Sequence, residues 1–246
     1  MPDIQIPVTE LIEAGVHFGH KASKWNPQMA PYIFGKRNLI HIIDVKQTIR
    51  GIVKACHFLS NVSKKGDLVL FVGTKRQASS AVEREGKRAN MPYVSERWIG
   101  GSLTNYTTVL SRLNRLKEIE AWEKDGVIQR YTKKEISMIM REKRKLLRNI
   151  GGIRLMERLP KALIIVDPNK EKIAVAEAKK INAATIGLID TDSSTDDIDI
   201  AVPCNEDSLR VVQIMVRILA DAIIDGQSKG VAADIVKTKA AEEVTT

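Results

Sequence analysis

Short apolar runs alternate with amphipathic stretches of helical length along most of this chain. That rhythm leaves few folds open, because a strand that is apolar throughout must be covered by helices on both sides. The runs at residues 39–44, 68–73, 93–95, 162–167, 185–190 and 198–202 read as strands. Between them, residues 47–62, 76–88, 170–181 and 206–224 carry helical periodicity. Gly66 and Gly226 stand just past helix ends, and Asn169 and Asn205 stand where N-caps belong. The expectation is an α/β fold: a doubly wound, mainly parallel sheet.

Residues 104–150 break the rhythm, since no strand signal occurs there. Val109, Leu113, Leu116, Ile119 and Trp122 recur at three or four residues, and so do Ile136, Ile139, Met140, Leu146, Leu147 and Ile150. Asp125-Gly126 marks a turn, Thr132 with Glu135 makes a capping box, and Gly151-Gly152 supplies a stop. The pattern predicts an antiparallel helical hairpin. A helix of about 20 residues is on the order of 30 Å long, enough to project as an arm. The expected organisation is therefore one α/β domain built from residues 1–103 and 151–228, the hairpin 104–150 inserted in it, and a flexible tail over 229–246.

Charge narrows the partners. The chain of 246 residues has a formal net charge of +9, with 43% hydrophobic and 28% charged residues, so it reads as a folded protein suited to a polyanion. The hairpin holds twelve bases, among them Arg112, Lys133, Lys134, Lys143, Arg144 and Lys145, against six acids. Such a face serves either solvation or phosphate contact. A second basic stretch joins His17, Phe18 and His20 to Lys21, Lys24, Trp25, Asn26, Phe34, Lys36 and Arg37. Bases there would neutralise phosphates, while each aromatic reads either as a stacking group or, more simply, as a buried anchor. His17 and His20 lack a third nearby ligand, so packing or hydrogen bonding fits them better than a metal.

Thr74, Lys75 and Arg76 follow Gly73 where a strand passes into a helix, a place that binds anions in open α/β sheets. The spacing matches neither a phosphate loop nor a dinucleotide fingerprint, so an RNA phosphate is the better ligand for this turn than a nucleotide cofactor. Arg97, Asn105 and Tyr106 flank Gly100-Gly101, which is either a tight junction to the hairpin or an RNA-facing loop. From Asp190 to Asp207 only acids carry charge: Asp190, Asp192, Asp196, Asp197, Asp199, Glu206 and Asp207. They could receive a basic protein partner, hold a cation, or complement a helix dipole.

Several classes drop out. No nucleophile with its base and no zinc-protease helix is visible, so an enzyme is not expected. Cys56 and Cys204 read as reduced core residues. The opening Met-Pro-Asp-Ile-Gln-Ile-Pro has no secretory pattern, every apolar run is broken by a charge, and a cytoplasmic protein without a membrane span is expected.

The motifs together resemble the bacterial-type small-subunit ribosomal protein S-two family. They are Leu11-Ile-Glu-Ala-Gly-Val-His-Phe-Gly-His20, Trp25-Asn-Pro27, Phe34-Gly-Lys-Arg-Asn38, Phe71-Val-Gly-Thr-Lys75, Arg97-Trp-Ile-Gly-Gly101, Leu103-Thr-Asn105 and Leu159-Pro-Lys-Ala-Leu163 leading to Asp167. Their order, with a basic hairpin between the third and fourth strands, makes the resemblance specific over roughly residues 8–225. It implies a flavodoxin-like sheet with a coiled-coil arm and a structural, ribosome-bound role in translation. It further implies binding of small-subunit ribosomal RNA and help in recruiting ribosomal protein S-one, with no small-molecule substrate. Carried over by position, Lys21, Lys24, Asn26, Lys36, Arg37, Lys75, Arg76, Arg97 and Asn105 become RNA contacts. Asp190, Asp192, Asp196, Asp197, Glu206 and Asp207 become a protein-facing surface, with Asp190, Glu206 and Asp207 the choice for a structural divalent cation. The open alternatives are a nucleotide-dependent enzyme working at the Gly73 loop and a free RNA-binding or chaperone-like protein.

Overall fold

A computed structural model describes residues 6–244, with side chains described as far as Gly230. From residue 231 on, the tail expected over 229–246 lies outside those side chains. In chain order the elements are α1 (Val8–Glu13), β1 (Phe18–Lys21), β2 (Ile33–Arg37), β3 (Ile40–Ile43), α2 (Val45–Lys64), β4 (Val69–Val72), α3 (Arg76–Arg88) and β5 (Tyr93–Val94). Then follow α4 (Tyr106–Lys124), α5 (Lys133–Ile150), β6 (Ala162–Val166), α6 (Lys172–Lys180), β7 (Ala184–Ile189), β8 (Ile200–Pro203) and α7 (Leu209–Val244).

Five strands make one parallel sheet in the order β5-β4-β6-β7-β8. Numbered within that sheet the order is 2-1-3-4-5, the doubly wound arrangement whose switch point lies between its first and third strands. Side-chain alternation builds a core on each face. Val69 and Phe71 pack with α2, α3 and α7, whereas Leu70 and Val72 pack with α6 and the roots of α4 and α5. Every residue of β4 and β6 is buried, as the continuous apolar runs required. Each fully buried Leu, Ile or Phe contributes about 1.5–3 kcal/mol, so the strand ends that carry the site are rigidly held.

Three expectations need correction. The run at 39–44 does form a strand, but β3 pairs antiparallel with β1 and β2 in a separate three-stranded sheet. The helices α4 and α5 thus fall between the second and third strands of the parallel sheet in chain order. β2 and β3 are joined by Asn38-Leu39, both at positive φ (49° and 63°). Asn accepts that conformation readily and Leu does not, so the usual Asn-Gly signal of such a turn was absent. Gly226 does not stop its helix: α7 runs through it. A Cβ at Gly226 would lie 2.4 Å from the Ser60 carbonyl oxygen, and one at Gly230 2.7 Å from that of Lys64, so both glycines let α7 lie against α2. The cap of α7 is Ser208, whose Oγ accepts from Val211 N at 3.4 Å. Asn205 instead accepts from Asp207 N and Ser208 N in the turn before it, and Asn169 donates to the Asp192 carbonyl rather than capping α6.

Candidate nucleic-acid interface

The switch point is closed from within. Lys75, just after β4, sends its Nζ to Asp207 Oδ1 at 2.6 Å, Glu206 Oε1 at 3.3 Å and Asp167 Oδ2 at 3.4 Å. Thr74 donates to Glu171 through both its backbone N–H and its hydroxyl. Burial opposes the Lys75 charge, but the bond to Asp207 and the fields of Glu206 and Asp167 hold the ammonium protonated above the usual lysine range. Its side chain is only 16% exposed, so the RNA contact expected of Lys75 meets an amine already neutralised. Gly73 is small for packing: a Cβ there would stand 2.9 Å from Val82 Cγ2 and 3.0 Å from Ala78 Cβ. A nucleotide phosphate at this edge would face Asp167, Glu171 and Asp207 and a lysine already paired with acids, which disfavours an enzyme at the Gly73 loop. Arg76, the next residue, is exposed.

His20 ties the antiparallel sheet to this cluster. Its Nδ1 lies 3.0 Å from Asp190 Oδ2 and its Nε2 3.3 Å from Asp207 Oδ2. Pairing with Asp190, against the cost of burial, pushes His20 from 6.5 up to about 9. Burial, reinforced by Asp167, pushes the Glu206 carboxyl from 4.5 up to about 9. In both cases the folded chain keeps a proton that the unfolded chain has released, above 6.5 for His20 and above 4.5 for Glu206. Stability therefore falls as pH rises, each group adding a slope of up to about 1.4 kcal/mol per pH unit. Urea midpoints should drop between pH of about 6 and about 9, and Glu206→Gln should flatten the curve. An unchanged midpoint across that window would refute the cluster's protonation as described.

Two of the seven acids of this stretch are spent inside the fold. Asp190 and Glu206 are 1% and 2% exposed, so these two cannot form part of a protein-facing surface. Asp196 accepts from Gln28 Nε2 at 2.7 Å, Asp197 pairs with Lys179, and Asp199 accepts from Thr185 N at 2.7 Å. Asp196, Asp197, Asp199 and Asp207 remain exposed, and Asp192 is half-buried. Among the described residues no group of three or more His, Cys, Asp or Glu is arranged to hold a metal ion. Cys56 and Cys204 are free and buried, and burial pushes the Cys56 thiol up to about 12.

The Gly100-Gly101 loop is a tight junction. Glu177 of α6, 5% exposed, accepts from Trp98 Nε1 at 3.0 Å, Gly101 N at 2.8 Å, Leu103 N at 2.9 Å, and Thr104 N and Oγ1 at 3.2 and 3.3 Å. Burial would raise this carboxyl, but those donors hold it below the usual range. The loop so fixed starts α4. A left-handed Gly126 (φ 69°) turns the chain toward α5, which opens with the expected capping box: Thr132 Oγ1 accepts from Glu135 N, and the Glu135 carboxylate accepts from Thr132 N. The two helices are linked by Arg115 to Glu142 at 3.3 Å and by Lys143 to Glu123.

Positive charge gathers where the junction meets the last turns of α5. An open cleft of about 410 Å³ is lined by Glu96, Arg97, Arg144, Lys145, Arg148 and Asn149. Arg148 pairs with Glu96 at 2.9 Å. Among the described residues Arg97, Arg144 and Lys145 make no ion pair, and all three are exposed. The fold thus brings together bases read from separate motifs. Lys143 is turned away from them, 18% exposed and bound to Glu123. Arg112, Lys133, Lys134 and Asn105 are exposed along the helices and their root.

Lys21, Lys24, Lys36 and Arg37 are exposed around the antiparallel sheet, while Asn26 caps a short 3-10 turn through its side chain. The aromatics overturn the simpler expectation of burial: Phe34 is 80% exposed, Phe18 49% and Trp25 38%. Sequence reading weighed Phe34 as a stacking group against a buried anchor and preferred the anchor, and it left Leu39 out of the site. An aromatic in a loop-rich segment reads as a buried anchor, and only the strand pairing of β2 reveals its exposure.

The sequence model of the family described as Ribosomal protein S2 matches residues 11–226. A curated relative, the small ribosomal subunit protein uS2 of Rhodopirellula baltica, is 54% identical over 222 residues, spanning 90% of this chain and 85% of the relative. Among the described residues no helix is long and apolar enough to cross a membrane.

Proposed function

The chain belongs to the ribosomal protein S2 family, whose members are structural proteins of the ribosome and not enzymes, and we propose that it works as a scaffold that grips small-subunit ribosomal RNA through its basic side. The observation that carries this reading is the cleft where Arg97, Arg144 and Lys145 converge unpaired. Three cations held close together without acids to neutralise them suit neighbouring phosphates of a folded RNA backbone. The helices α4 and α5 act together as a coiled-coil arm that extends this contact through Arg112, Lys133 and Lys134. Lys21, Lys24, Asn26, Lys36 and Arg37 supply a second contact area, while Arg76 at the start of α3 and Asn105 at the root of α4 add single contacts. Recruitment of ribosomal protein S-one falls to the acidic side, where Asp196, Asp197 and Asp207 stay exposed.

Tagged protein expressed in cells and fractionated on sucrose gradients should migrate with small ribosomal subunits. Its persistence as a free soluble pool alone would contradict the scaffold reading. Saturable binding of ATP or NAD by purified protein would instead revive an enzyme.

A further inference from the structure

Helix α2 carries its charge in a pattern that the stability of a helix does not favour. It contains Lys46, Arg50, Lys54 and Lys64 and no acid. Lys46 stands in the first turn, where the positive end of the helix dipole opposes a cation and favours an acid. Lys46, Arg50 and Lys54 follow one another at intervals of four, so each repels the next across a turn. At about 1.5 Å of rise per residue they form a row about 12 Å long on one side of the helix. All three are exposed, while Gly51, Ile52, Ala55, Cys56 and Leu59 are buried on the side that packs against β8 and α7. A merely solvated helix face carries both signs, as α3 does where Lys87 pairs with Glu83 at 2.6 Å.

The acids on the elements around α2 are engaged elsewhere. Asp44 caps the helix through the Lys46 N–H at 2.9 Å, and Asp199, just before β8, accepts from Thr185 N. Asp207, ahead of α7, holds Lys75 and His20. Within α7, Asp221 pairs with Arg88 at 2.7 Å and Asp225 with Lys229 at 2.5 Å. Among the described residues none of the three cations of the row makes an ion pair, whereas Arg115, Lys143 and Arg154 at the hairpin each meet a carboxylate. The chemistry of the row selects its occupant. Protein interfaces are depleted in lysine and centre on aromatic side chains. This face exposes no aromatic, and Val53 is its one exposed large apolar residue. Phosphates, by contrast, are met by Lys and Arg, and a paired RNA presents them in fixed rows. The position of α2 separates this contact from the cleft: α2 packs on the face of the parallel sheet that carries Val69 and Phe71, and the roots of α4 and α5 pack on the other. Resting on the RNA-binding reading above, we propose that Lys46, Arg50 and Lys54 grip the phosphate backbone of a paired segment of ribosomal RNA, distinct from the segment at the cleft. The chain then joins two RNA segments across the thickness of its sheet.

Two measurements test it. With a fully paired RNA of about twenty base pairs as probe, Lys46→Gln, Arg50→Gln and Lys54→Gln together should weaken binding on the order of tenfold at low salt. The slope of log binding constant against log salt should become shallower by about 2–3, and the urea midpoint should hold or rise because like charges have been removed. A falling midpoint would show that the row serves the fold and would overturn the proposal. An unchanged slope, while substitution of Arg97, Arg144 and Lys145 still weakens binding, would overturn the row and leave the cleft reading standing. Failure of the unaltered chain to bind the RNA would overturn both. A photo-cross-linkable side chain placed at position 54 in assembled small subunits should join to ribosomal RNA at nucleotides other than those reached from position 144. Cross-links to a protein alone, to the same nucleotides, or none, would overturn the proposal.

Discussion

Glu177→Ala should be strongly damaging, lowering stability by about 3–5 kcal/mol in urea denaturation. The carboxylate is buried and receives five hydrogen bonds from Trp98, Gly101, Leu103 and Thr104. Each orphaned buried donor would cost about 1–3 kcal/mol, and the total stays below their sum because the loop can relax and admit water. Glu177→Gln should lose nearly as much, since an amide replaces one of two acceptor oxygens with a donor facing donors. The folded carboxyl titrates below its unfolded value, so its stabilisation is present near neutrality and fades as pH falls through that lowered range. A loss under about 1 kcal/mol would mean that the junction does not depend on this residue. The consequence for function is direct, because the same loop places Arg97 and starts the helix pair that ends in Arg144 and Lys145.

Glu177 also shows where sequence reading stops. Its helix was legible from periodicity, but its five donors lie more than 70 positions away and leave no local trace. What could be read was local. The bounds of α3 at 76–88, the capping box of α5 and the apolar runs of β4 to β8 follow from spacing and capping chemistry, and all appear in the structure. What could not be read was pairing. β1 and β2 carry few apolar residues in alternation, and their partner β3 looked like one more buried parallel strand. Lys75 illustrates the same limit in the site. Its place after a strand suggested an anion ligand, yet the carboxylates that capture it come from residues 167, 206 and 207. Exposure, too, was visible only in three dimensions, as Phe34 and the buried Asp190 and Glu206 demonstrate in opposite directions.

On the proposed function, the unpaired cations in the cleft at the root of α4 and α5 hold RNA phosphates. Substituting Arg97, Arg144 and Lys145 together by Ala removes three exposed cations that make no ion pair among the described residues, so stability should stay within about 0.5 kcal/mol of the unaltered chain. Binding to small-subunit ribosomal RNA should nevertheless weaken by about a hundredfold or more at low salt. Lys143→Ala is the internal control, since Glu123 already neutralises that amine. The decisive measurement is the slope of log binding constant against log salt for the triple variant. The expected result is a slope shallower by about 2–3, one increment for each phosphate no longer neutralised, with Lys143→Ala leaving the slope unchanged. A triple variant whose slope and affinity match those of the unaltered chain would contradict RNA binding through this cleft.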